Sequence, residues 1–426
     1  MFKEILENLY PFITHKEALF TIIYSILFWC VIGLSSIAIL FILPFLVIFG
    51  ILYFYYYNLT YKDFPCGKEI ELLEDELILS SCPGLRYSHN NEEYDIFINN
   101  EICYKTNLHY LQIPCIVKKS QVIVIIHGTG SSATCFCDIF KYLNKFYTIY
   151  ALDLPGFGRS TTDNSNTLTG DTGIIYYITL MKDFFKRKKL KDIILMGHSW
   201  GAYLISYYSF HFTQYIKQLM LVEPPGLLPV FGKYGAYWAF AFKYKVIHLP
   251  GLLGKVGLMC AQSFFHLFNY NNIALYHYII NNNKNNWGAN ILSEQISYRW
   301  TGGYWKNSII NKLTNTTIPF TVFYGENDSI IPKEQKKLLD KLYPESCMIL
   351  KDCHHSPHTE NPKELCLNIL NSYKKMKNRR KHIKIDIKKI EDYFVDIKHL
   401  SNFKTSFDPD YTQRITDILY NKHYLL

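Results

Sequence analysis

Ser199 stands at the centre of Gly197-His198-Ser199-Trp200-Gly201, and its hydroxyl is the candidate nucleophile of the chain. An apolar run, Ile193 to Met196, leads into the pentapeptide, and the helix-compatible stretch Ala202-Tyr203-Leu204-Ile205-Ser206 leaves it. In such a strand-turn-helix context the serine sits on a turn so tight that residues two places away almost touch the next helix. Gly197 and Gly201 are therefore expected to be glycine because no side chain would fit. The hydroxyl should project above a sheet, at the positive end of a helix.

A serine that opens an acyl ester needs a base for its proton, a carboxylate to orient that base, and donors for the oxyanion. The chain supplies a candidate for each, in the order nucleophile, acid, histidine. Asp328 closes Gly325-Glu326-Asn327-Asp328, just past a strand at Thr321 to Tyr324, and Glu223, at the end of the preceding strand, is its rival. The base lies in Cys353-His354-His355-Ser356-Pro357-His358-Thr359-Glu360-Asn361-Pro362, where spacing does not choose among His354, His355 and His358. His127-Gly128-Thr129-Gly130 ends the first central strand, which makes the backbone N–H groups of Thr129 and Trp200 the natural oxyanion donors. Three neighbouring histidines also raise the thought of a metal, but they read as loop residues and not as one face of a helix, so no metal and no cofactor are expected.

The elements that must position these residues alternate. Val122 to Ile126, Tyr147 to Leu152, Ile193 to Met196, Lys217 to Val222, Pro319 to Tyr324 and Cys347 to Leu350 read as strands, with helices over about 171–188 and 362–376. Apolar strands alternating with helices predict an α/β fold, a mainly parallel sheet covered on both faces. Between about 225 and 313 the alternation stops, and the segment is helical in flavour and rich in aromatics such as Trp238, Phe264, Trp287 and Trp305. It is expected to form a helical lid over the carboxyl ends of the strands. The region 62–119 reads as a linker followed by short strands, with turns at Asn90-Asn91 and Asn99-Asn100.

From Ala18 to Leu59 there is no charged residue. A bilayer core needs about 20 apolar helical residues, so this stretch is expected to be a transmembrane segment, as one long span or as a hairpin bent near Ser35-Ser36 or Pro44. It is too long for a signal-peptide core and is expected to be retained. The division that follows is a flank 1–17, the membrane segment 18–59, a linker 60–84, a catalytic domain 85–376 and a basic tail 377–426. The net charge of +9 is modest for the length and is concentrated at Lys374 to Lys381, which fits an anionic membrane surface better than nucleic acid. The 11 cysteines are odd in number, scattered and without a C-x-x-C pair, so the catalytic domain is expected to face the cytosol from the endoplasmic reticulum or another endomembrane.

Taken together, His127-Gly128-Thr129-Gly130, Asp153-Leu154-Pro155-Gly156-Phe157-Gly158-Arg159-Ser160, Gly197 to Gly201, Gly325 to Asp328 and His355 to Pro362 resemble the α/β-hydrolase superfamily over about 85–376. The resemblance implies a Ser199, Asp328, His355 triad, with His127, Gly128, Gly197, Gly201, His358 and Glu360 in support. Within the superfamily the chain is similar to the branch containing N-acylphosphatidylethanolamine lipases, cardiolipin-directed phospholipases and a lipid-droplet lipase co-activator. This implies a membrane-anchored serine hydrolase of acyl esters of lipids: phospholipids, lysophospholipids or acylglycerols. Two alternatives accompany it, lysophospholipid acyl transfer and a non-catalytic membrane-tethered scaffold. The branch often carries H-x-x-x-x-D, and here the fifth residue after His355 is Glu360, which weakens acyl transfer. Ser199 is retained, which disfavours the scaffold. An aspartate nucleophile, as in related epoxide hydrolases and dehalogenases, is absent from this position.

Overall fold

The computed structural model describes residues 68–98, 102–117, 120–163, 165–168, 170–226, 296–299, 302–305, 313, 316–331 and 333–377. The apolar stretch 18–59, nearly all of the tail 377–426 and most of the lid 225–313 lie outside the described residues. Among the described residues no helix is long and apolar enough to cross a membrane.

Strands β1 (Ser88–Ile98), β2 (Ile102–Ile113), β3 (Gln121–Ile126), β4 (Tyr147–Leu152), a short β5 (Thr161–Thr162), β6 (Ile193–His198) and β7 (Ile216–Val222) are joined by β10 (Phe320–Gly325) and β11 (Cys347–Leu350). They form one sheet in the order β1-β2-β4-β3-β6-β7-β10-β11, with β5 on β2. From β4 to β11 every pairing is parallel, while β1 and β2 are antiparallel additions at one edge. The α/β expectation is met, and the sheet is mixed rather than purely parallel. The unbroken apolar runs of β3 and β6 follow from burial on both faces. Val124, Ile126, Leu195 and Leu221 point into one core, and Ile123, Ile125, Met196 and Val222 into the other. One face is covered by α3 (Gly170–Arg187) and α4 (Trp200–His211), the other by α1 (Lys68–Ser81), α2 (Cys137–Leu143) and α7 (Pro362–Lys377).

Three sequence expectations are corrected. The described part of the linker 60–84 is helix α1, whose Ile70, Leu73, Leu77 and Ile78 fall at helical spacing among good helix formers. Ile70, Leu77 and Ile78 are buried, at about 1.5–3 kcal/mol per side chain, so the helix is held on the core, and Pro83 and Gly84 (φ +76°) end it. Asn90-Asn91 is not a turn but lies inside β1, opposite Tyr110 and His109; ladder pairing outweighs the local turn preference of asparagine. Asn99-Asn100 lies outside the described residues. Within the segment read as helical, Ile296–Arg299 and Gly302–Trp305 pair as an antiparallel hairpin, β8 and β9, in keeping with the alternation Ile296-Ser297-Tyr298-Arg299.

The Asp153 to Ser160 motif turns out to be a fastener between sheet and α1. Asp153 is fully buried and accepts hydrogen bonds from His109 Nδ1 at 2.8 Å, the Ala133 N–H at 2.6 Å and the Arg159 N–H at 2.8 Å. A Cβ on Gly158 would lie 2.4 Å from its carboxylate, which is why the motif needs glycine there. Arg159 then reaches Glu74 at 3.0 Å and Glu71 at 2.7 Å on α1. Glu74, His89 and His109 bring three potential metal-ligand atoms together within 4.8 Å. Arg159 Nη1, 3.1 Å from His89 Nδ1, gives this centre its cation, so the hydrogen bonds account for the cluster.

Burial alone would raise the Asp153 carboxyl, but the bond and charge of His109, with the Ala133 N–H, hold it down at about 2. A depressed carboxyl contributes stability that is fully present above its unfolded value near 3.8 and is lost as pH falls toward the folded value. Asp153→Asn is expected to cost about 3 kcal/mol, since the amide sets a donor against donors. Urea unfolding followed from pH 6 to 3 should fall more steeply for the wild type than for the variant.

Candidate active site

Ser199 connects β6 to α4 with φ 51° and ψ −121°, a left-handed conformation that a non-glycine residue adopts at a cost of about 1–3 kcal/mol and that clusters at functional sites. Its N–H donates to Val222 O at 2.8 Å, which ties the turn to β7. A Cβ on Gly197 would lie 2.6 Å from Ala202 N, and one on Gly201 2.4 Å from His127 O. Both glycines are thus fixed by backbone contact, one under the turn and one against the end of β3.

The Ser199 Oγ lies 2.9 Å from His355 Nε2, and His355 Nδ1 lies 2.8 Å from Asp328 Oδ2. The carboxylate can only accept, so Nδ1 carries the proton and Nε2 offers its lone pair to the serine hydroxyl. His355 therefore stands between the other two residues, whereas His354 is exposed and turns its ring to Glu360 at 3.3 Å. His358 is buried, its ring centroid 4.5 Å from His198 and 4.8 Å from Phe136. Of the three histidines that spacing left open, the fold brings His355 to the serine.

Asp328 is held from both sides. Its Oδ1 accepts the N–H groups of Ile330 at 2.6 Å and Ile331 at 3.3 Å. Burial would raise its carboxyl, but the bond and charge of His355, with the neighbouring Glu223 carboxyl and the Ile330 N–H, keep it well below the usual range. A Cβ on Gly325 would lie 2.1 Å from His354 O and 2.6 Å from Cys353 O. Glycine at that position lets the acid loop and the histidine loop touch. Glu360, from the short helix α6 (Pro357–Glu360), accepts the N–H of His354 and that of Ser356 at 3.1 Å, clamping the backbone on either side of His355.

The 127–130 turn closes against the serine: a Cβ on Gly128 would lie 3.0 Å from Ser199 Cβ and 2.9 Å from His198 Nδ1. The N–H groups of Thr129 and Trp200 belong to the two backbone segments that meet there, and that of Trp200, first in α4, has no partner within the helix. His127 Nε2 accepts the Leu154 N–H at 2.9 Å, so its Nδ1 is the donor, to Gly128 O at 2.7 Å. Burial pushes the His127 imidazole down, in keeping with that neutral tautomer. Phe157 packs between the His127 ring at 5.6 Å and the Trp200 ring at 5.7 Å.

Sequence reasoning missed His198. Its Nε2 donates to His355 O at 2.7 Å, and burial, with the His355 charge, lowers it to about 3, so it remains a neutral strut under the histidine loop. The signal was present in its place beside the serine, but its partner is 157 residues away.

The sequence profile described as the alpha/beta hydrolase fold matches residues 121–362. The chain is 34% identical to "Abhydrolase domain-containing protein abhd-5.2" of Caenorhabditis elegans over 38% of its length and 36% of that relative. It is 26% identical to "1-acylglycerol-3-phosphate O-acyltransferase ABHD5" of Mus musculus over 33% of its length and 36% of that relative. These two relatives agree with the co-activator branch resemblance, and the chain spans about a third of the length of each. A bacterial membrane phospholipase A shares the fold, with TM-score 0.51, 17% identity, and coverage of 81% of this chain and 100% of that one.

Proposed function

Because the chain belongs to the family of the alpha/beta hydrolase fold, we propose that it is a serine carboxylic-ester hydrolase acting on acyl esters of lipids. The observation that carries this reading is the continuous hydrogen-bond chain from Ser199 Oγ through His355 to Asp328. Ser199 attacks the ester carbonyl while its proton passes to His355 Nε2. The oxyanion is held by the N–H groups of Thr129 and Trp200; removal of one such donor typically costs about 10²–10³ in turnover. His355 then gives its proton to the leaving alcohol, and a water activated by the same nitrogen frees the fatty acid from Ser199. A lipid as the ester is supported by the aromatic-rich segment 225–313 and by the name of the mouse relative.

The acyl-transfer reading is favoured by the name of the mouse relative and requires the acyl group to pass from Ser199 to a lysolipid hydroxyl instead of water. Against it stands the carboxylate of Glu360, which takes the place of the aspartate in H-x-x-x-x-D and is spent on the N–H groups of His354 and Ser356. With purified protein, radiolabelled phosphatidylcholine and added lysophosphatidate, labelled free fatty acid is the expected product. Labelled phosphatidate in its place would establish transfer.

The uncharged stretch 18–59 supports permanent residence in an endomembrane, with the basic tail and the catalytic domain on the cytosolic side. One apolar span already gives effectively irreversible insertion. On sealed microsomes the protein is expected to resist carbonate extraction and its catalytic domain to be cut by added protease. Carbonate release would overturn the anchor, and protection of the domain would overturn the sidedness.

A further inference from the structure

Beneath the Asp328 carboxylate lies a second carboxyl, Glu223, which the chain from Ser199 to Asp328 does not use. It closes β7 with a left-handed backbone, φ 49°, and is fully buried. Its Oε1 accepts the N–H of Gly325, while Oε2 is sealed from water with no N–H or O–H donor reaching it among the described residues. One oxygen of Glu223, one of Asp328 and a ring nitrogen of His355 all lie within 4.8 Å of one another.

Two buried carboxyls this close do not both ionise, and the donors around them decide which one keeps a proton. Asp328 takes three donors, His355 Nδ1–H, Ile330 N–H and Ile331 N–H. Glu223 takes the Gly325 N–H. Lys336, on α5 (Lys333–Leu342), directs its ammonium at the carbonyl oxygens of Gly325 at 2.6 Å and Asp328 at 3.5 Å. The other titratable groups that feel Glu223 are Tyr324, Cys347 and Cys353, whose own protons are retained by burial. The negative charge therefore belongs on Asp328.

We infer that Glu223 is a positioning residue, which keeps its proton and donates it to the Asp328 carboxylate, so fixing the carboxylate that aims His355 at Ser199. Burial, with the charge of Asp328 and the bond to it, pushes the Glu223 carboxyl up, while the same bond helps to hold Asp328 down. A neutral Glu223 has a close mimic in glutamine, whose amide N–H can replace the O–H and whose carbonyl can still accept from Gly325. Methionine fills the volume and removes the donor. The inference rests on the proposed roles of Ser199, His355 and Asp328.

The test uses full-length protein carrying Glu223→Gln or Glu223→Met, with two readouts. One is the pH dependence of Ser199 phosphonylation by a fluorophosphonate. The other is the ring titration of His355 by NMR on 13C-histidine protein, its resonance identified by loss in His355→Gln. Glu223→Gln should leave rate and titration midpoint unchanged. Glu223→Met should slow phosphonylation by about 10- to 100-fold, the range for losing a hydrogen bond to a charged group, and move the midpoint to higher pH because the Asp328 charge is no longer shared.

A crippled Glu223→Gln enzyme would make Glu223 the orienting acid and overturn the inference. A midpoint moved to lower pH by glutamine would overturn it also, since a carboxylate charge would then have been lost. An unmoved midpoint in Glu223→Met would reduce the contact to packing. Should the methionine variant fail to fold, the glutamine variant decides alone. A wild type that shows no phosphonylation refutes the hydrolase reading, and the NMR arm still judges Glu223.

Discussion

Ser199→Ala is expected to lower turnover by about 10⁶, the scale of loss when a serine nucleophile is removed from a working triad, and to abolish labelling by a fluorophosphonate. The effect is this large because the fold offers Ser199 everything at once: a left-handed turn, the Nε2 of His355 at 2.9 Å, and backbone donors on two sides. Two buried serines are committed elsewhere. Ser160 Oγ bonds Asp153 O at 2.7 Å, and Ser206 Oγ bonds Ala202 O at 2.8 Å. Alanine keeps the same strained backbone and removes no packing of consequence, so thermal unfolding should stay close to that of the wild type. Undiminished labelling of a folded variant would remove Ser199 from the mechanism.

The parallel core was legible in the sequence because the central strands, buried on both faces, must be largely apolar, and β3, β4, β6, β7, β10 and β11 fall within two residues of the runs that announce them. The serine turn was legible because its two glycines answer to contacts inside a five-residue window. What spacing could not decide was set by contacts distant in sequence. His355 and His354 are neighbours in the chain, and the choice between them depends on Gly325, whose missing side chain admits the 353–354 backbone from another loop. Glu223 and Asp328 follow adjacent strands, β7 and β10, and the donors at Ile330 and Ile331 distinguish the acid in a way that their surroundings in sequence do not. Helix α1 was hidden by its own acids: Glu71 and Glu74 look like linker residues until Arg159, far along the chain, appears as their partner.

Asp328→Asn is expected to reduce turnover by about 10⁴, as the corresponding change does in serine proteases through the wrong imidazole tautomer. In the wild type the ionised carboxylate accepts from His355 Nδ1 at 2.8 Å, and this leaves Nε2 free to take the proton of Ser199. A carboxamide has one accepting oxygen, and the N–H groups of Ile330 and Ile331 already compete for it. Its NH2 then turns toward His355 and donates to Nδ1, which moves the ring proton to Nε2, where it opposes the serine hydroxyl. Asp328 is also the ionised member of its pair with Glu223, so asparagine removes the charge that steadies the imidazolium formed during attack. The loss should appear in turnover far more than in substrate binding, measured as kcat and KM on one labelled ester. It should also ease at high pH, where hydroxide can serve in place of the disabled base. If Glu223→Gln is as damaging as Asp328→Asn, the acid of this site stands at the end of β7 and not in the loop after β10.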